Sequence, residues 1–108
     1  MTNQPQAQQP ADANAQARQG QIQIKASDEK LKGEYANVMR VHHTKEEFVL
    51  DFLGIFEQQG TLNSRIVVSP NHMKRMLTAI AENVAKYEAK FGTVEASEAP
   101  ANKIGFQG

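Results

Sequence analysis

The chain has 108 residues, with twelve basic residues balanced by twelve acidic ones, and no cysteine. That length suits one small domain. The charge balance argues against a strong non-specific nucleic-acid binder, which carries a basic excess, and the lack of cysteine excludes disulfides and thiol chemistry.

Residues 1–20 hold many Gln, Ala, Asn and Pro, with Met1 the one apolar residue larger than Ala. Such a segment buries too little apolar surface to offset its ordering entropy, so a disordered arm is expected. Residues 1–20 also lack the basic start and apolar run of a signal peptide. No stretch approaches the ~20 apolar residues of a membrane helix. The expectation is a cytoplasmic protein with no membrane contact.

Gln21-Ile22-Gln23-Ile24-Lys25 alternates polar and apolar residues over a short span and reads as an edge strand. Ser27-Asp28-Glu29-Lys30 reads as a polar connector and Gly33 as a turn. Tyr35 to Thr44 reads as a second strand. Glu47 to Phe56 is the third, with Phe48, Leu50, Phe52 and Phe56 on one face and Val49, Asp51, Leu53 and Ile55 on the other. The first face is expected to be the core. The second is largely apolar around Asp51 and needs cover of its own, which predicts a dimer or larger assembly.

Leu62 to Val68 reads as a further strand leading into Ser69-Pro70. Ser69 suits an N-cap, and Pro70 suits the first helical position, where no N–H is required. Met73, Leu77, Ile80, Val84, Tyr87 and Phe91 then recur at spacings of four and three, and Met76 widens the stripe. Gly92 suits the left-handed position that closes a helix. At under three heptads this stripe is expected to cover a sheet rather than form a coiled-coil seam. Residues 96–108 read as a disordered tail whose sizeable apolar residues are Ile104 and Phe106. The expected fold is α+β: an antiparallel sheet of three to four strands, then one long C-terminal helix packed on one face, in a single domain over residues 21–95.

Three segments carry a family likeness: Gly33-Glu34-Tyr35-Ala36-Asn37, Glu47-Phe48-Val49-Leu50-Asp51-Phe52, and Ser64-Arg65-Ile66-Val67-Val68-Ser69-Pro70 running on to Lys74-Arg75, Tyr87-Glu88 and Phe91-Gly92. Together they resemble a family of small bacterial proteins known as domain of unknown function 3467, over roughly residues 21–95. The resemblance implies no activity. The strands-then-helix order is also similar to that of the export chaperone SecB, in topology only, and fold does not imply function.

Candidate chemistry is sparse. His42 and His43 are adjacent in a strand and so point to opposite faces, which keeps them from sharing one metal ion. No metal spacing, phosphate loop or nucleophile motif occurs, and no cofactor is expected. Asp51 among apolar neighbours reads as an ion-paired or hydrogen-bonded group, with Arg40 or Arg65 as partner. The candidate interaction residues are Val49, Asp51, Leu53 and Ile55 on the second sheet face, with Arg40, Arg65, Lys74 and Arg75 as basic contacts. The expected role is non-enzymatic: a homo-oligomeric protein-interaction or scaffolding module, chaperone-like where it holds a protein partner. The alternative is a nucleic-acid accessory protein using the basic residues near the helix N-terminus, where free N–H groups attract anions.

Overall fold

The computed structural model describes residues 20–98 and 103–106. The arm expected over residues 1–20 lies, but for Gly20, outside the described residues. So do residues 99–102 and 107–108 of the expected tail. Residues 1–33 and 34–108 form two units.

In the first unit, no strand forms at Gln21–Lys25, where Ile22 and Ile24 are both exposed. Two alternating isoleucines supply a pattern, but a strand also needs a backbone partner. The polar segment after it is a short helix, α1 (Asp28–Lys32), where a connector was expected. The Lys30 backbone N–H donates to the Ser27 hydroxyl at 3.2 Å. Asp28 and Glu29 occupy the first turn and Lys30 and Lys32 the last, which complements the helix dipole.

The second unit holds β1 (Val38–His43), β2 (Phe48–Phe56), β3 (Gln59–Val68) and α2 (Pro70–Phe91). The sheet is antiparallel in the order β1-β2-β3, so among the described residues it has three strands. The fold is α+β, with the sheet preceding the long helix. At the first hairpin, the Thr44 hydroxyl accepts the Glu46 and Glu47 backbone N–H groups at 3.2 and 3.3 Å. The second hairpin turns on Glu57 and Gln58. Glu57 sits at φ 59°, where a Cβ costs about 1 kcal/mol. Glu57→Gly is therefore expected to raise stability by about 0.5 kcal/mol, after allowing for the extra freedom of glycine in the unfolded chain. Urea unfolding of the two proteins measures it, and a lower midpoint for the variant contradicts it.

Register places Val38, Arg40 and His42 of β1 beside Leu53, Asp51 and Val49 of β2, on one face. Leu62, Arg65 and Val67 of β3 complete that face. The opposite face carries Met39, Val41 and His43, then Phe52, Leu50 and Phe48, then Ser64, Ile66 and Val68. The β2–β3 register shifts at Phe52/Leu53, leaving Asn63 as the extra residue. Both faces hold a buried leucine, Leu50 on one and Leu53 on the other. Phe56, expected in the core, is exposed at the end of β2 beside the turn, where it stacks on Tyr35 at 6.2 Å.

The limits of α2 follow its local chemistry. The Ser69 hydroxyl accepts the His72 backbone N–H at 3.2 Å. Gly92 closes the helix at φ 101°, and its N–H donates to the Glu88 carbonyl at 2.9 Å. The packing of the helix differs from expectation. No residue of α2 is buried. Met73 and Met76, in its first two turns, are half-buried, whereas the rest of the apolar stripe is open. Its spacing is that of a helix face, but the sheet does not cover that face.

Candidate interaction surface

The centre of the first sheet face is a charge. Asp51 is fully buried, at 0 % exposure, between Arg40 on β1 and Arg65 on β3. The Arg65 guanidinium grips it bidentately: Nε donates to Oδ1 at 2.6 Å and Nη2 to Oδ2 at 2.9 Å. This fork-to-fork geometry fixes both groups in orientation. The Arg65 hydrogen bonds hold the Asp51 carboxyl below its ordinary value of 3.8. Burial pushes the other way, and the charges of Arg65, His42 and Arg40 reinforce the lowering. Phe106 lies over both arginines, with its ring centre 5.1 Å from the Arg40 guanidinium carbon and 5.8 Å from that of Arg65. A residue of the expected tail therefore touches the sheet.

The candidate residues divide accordingly. Asp51 and Leu53 are buried and offer no open surface. Val49 and Ile55 are half-buried, as is Arg40. Arg65 is committed to Asp51. Lys74 and Arg75 sit on α2, where Arg75 Nη2 lies 3.1 Å from His72 Nδ1. Thus Arg40 and Arg65 share a sheet face, and Lys74 and Arg75 share a helix start.

A shallow groove of about 690 Å³ runs along the end of the sheet by the second hairpin, between Glu34, Tyr35, Phe56, Glu57, Gln59 and Asn63 among others. It is built by hydrogen bonds from the Tyr35–Asn37 segment. The Asn37 side chain acts as a backbone surrogate: Nδ2 donates to the Ile55 carbonyl at 2.8 Å, and Oδ1 accepts the Ile55 N–H at 2.9 Å. The Asn63 amide donates to the Tyr35 carbonyl. Gly54 makes room for this, since a Cβ there would meet Asn63 Nδ2 at 3.1 Å. Asn37→Ala is expected to cost about 1 kcal/mol, because the freed Ile55 groups are exposed enough to bond water. Denaturant unfolding tests it; an unchanged midpoint would show that the clasp contributes nothing.

The stripe on α2 is an open apolar feature. Leu77 and Ile80 are each 58 % exposed, Val84 47 %, Tyr87 52 % and Phe91 64 %. Isolated exposed apolar residues are ordinary, but five at a helical period on one face make a contiguous patch. The sequence reading identified these residues and assigned them to the sheet, so it missed them as a surface. Among the described residues, no group of three or more His, Asp or Glu side chains is placed to hold a metal ion. No helix among them is long and apolar enough to cross a membrane.

A family model described as protein of unknown function (DUF3467) matches residues 1–96. The chain belongs to this family. Neither the curated proteins nor the solved structures yield a match. The segments that carry the family likeness have structural roles in this DUF3467 member. Asn37 clasps β2, Asp51 and Arg65 pair across the sheet, and Ser69-Pro70 starts α2.

Proposed function

We infer that this DUF3467 protein is a non-enzymatic interaction module that works as a homo-oligomer, with the apolar stripe of α2 as its assembly surface. The open stripe carries this reading. A helix of 22 residues with no buried side chain has little tertiary support of its own. Most helical stability in proteins comes from packing an amphipathic face. A small domain also gains the most from association, because it buries a low fraction of its surface alone. The ion pair under Phe106 belongs to the internal structure of the sheet in this reading, and a protein partner would meet what the assembly leaves open.

The test is the mass of the full chain by light scattering from low to high micromolar concentration, with an apolar dye added in parallel. The reading expects a dimer or larger species and weak dye binding. A monomer at every concentration, with the stripe open to dye, overturns self-association.

A further inference from the structure

We propose that the stripe is covered by α2 of a second copy of this chain running antiparallel to it. This rests on the self-association read above and adds the occupant, the direction and the register. Leu77, Ile80, Val84, Tyr87 and Phe91 alternate at spacings of three and four, the a/d pattern of a two-helix seam. In an antiparallel pair each a residue meets a d residue of the partner. One register then matches every layer: Leu77 against the partner's Tyr87, and Ile80 against the partner's Val84, with the same contacts repeated by symmetry. Phe91 falls against the partner's Met73, already half-covered by its own chain. Each layer sets a larger side chain against a smaller one, which suits interdigitation.

Charge selects the same register. Lys74, Ala81 and Glu88 line one flank of the stripe at intervals of seven. In an antiparallel pair this flank faces itself. Lys74 then meets the partner's Glu88 at both ends, and Ala81 meets the partner's Ala81 near the two-fold axis, where its small side chain allows close approach. Among the described residues Glu88 can make this contact through Oε1, since the Val94 N–H donates to Oε2 at 2.9 Å. The other flank brings Asn83 to the partner's Asn83. A parallel pair forms neither Lys74–Glu88 contact and stacks Phe91 on Phe91 and Tyr87 on Tyr87. The antiparallel contact is isologous, so it closes as a dimer.

The test mixes two full-length variants, Lys74→Glu and Glu88→Lys, after circular dichroism has shown both folded. Each variant alone puts like charges at both ends of the helix pair, and its dimer is expected to weaken about tenfold. Together they restore opposite charges at both ends, so native mass spectrometry of an equal mixture should show about nine-tenths heterodimer rather than the statistical half. A spin label on Ala89→Cys in the otherwise cysteine-free chain adds a distance. The antiparallel register adds about 20 Å along the axis, at about 1.5 Å per residue, to the width of the helix pair that separates these two outer-face labels, whereas a parallel pair leaves that width alone. Dimers that mix statistically, or labels separated by the width of the pair with no axial offset, overturn the antiparallel pairing and leave self-association standing. An unaltered chain that stays monomeric overturns both.

Discussion

Full-length protein carrying Ile80→Glu is expected to run as a monomer where the unaltered chain runs as a dimer. Ile80 lies mid-stripe on α2 and is 58 % exposed in the single chain. Fully burying such a side chain is worth about 1.5–3 kcal/mol, and symmetry counts it twice in a dimer. A glutamate at the same place must also lose its hydration. The dissociation constant should therefore rise by about a hundredfold or more. Ala89→Glu, on the opposite face of α2, should leave the mass unchanged and serves as the control. Light scattering across a dilution series decides it. The same mass for Ile80→Glu and the unaltered chain would remove the stripe from the interface. The variant should keep its sheet, because β1, β2 and β3 pair through their own backbones and no residue of α2 is buried in the single chain.

The elements that could be read from sequence are those whose chemistry is local. Ser69-Pro70 and Gly92 mark the ends of α2 because capping depends on the first and last turns alone. β2 is legible from Phe48 to Phe56 because apolar side chains dominate both faces on either side of Asp51. α1 was hidden by its polarity, although Ser27 with Asp28 and Glu29 after it is a helix-start signal in its own right. Gln21–Lys25 shows the opposite error, an alternation without a partner strand. The stripe on α2 marks the limit of periodicity, which identifies an apolar face but not what covers it. Spacing alone cannot say whether a sheet covers the face; the exposure of Leu77 and Phe91 shows that the sheet does not. The contact of Phe106 with Arg40 and Arg65 was equally out of reach, since it joins positions far apart in the chain. Its one trace was a lone aromatic residue, close to Ile104, in a tail of mostly small and polar residues.

The second large effect concerns Asp51. Asp51→Asn keeps the shape of the side chain but removes the charge that Arg65 grips. The melting midpoint is expected to fall by about 10 °C at neutral pH, since breaking a buried pair leaves one member uncompensated. The pH dependence identifies the cause. Arg65 holds the Asp51 carboxyl below its ordinary value of 3.8, so the folded state favours the charged form. A lowered pKa contributes stability that is fully present above the unfolded value and lost as pH falls through the folded one. The gap between the unaltered protein and Asp51→Asn should thus be constant from neutral pH down to about pH 4 and narrow below it. A gap that stays the same at lower pH would assign the loss to shape or hydrogen bonding rather than charge. Arg65→Leu should do more harm than Asp51→Asn. The Asp51 side chain is 1 % exposed while that of Arg65 is 49 % exposed, so an abandoned arginine can turn to water and an abandoned carboxylate cannot. Its variant should also become relatively more stable as pH falls and the stranded carboxyl takes up a proton, the reverse of the unaltered chain. Asp51→Leu combined with Arg65→Leu should recover much of the loss, because an apolar pair leaves no charge behind. Less damage in the double variant than in Arg65→Leu alone is the non-additivity expected of two groups that act through each other.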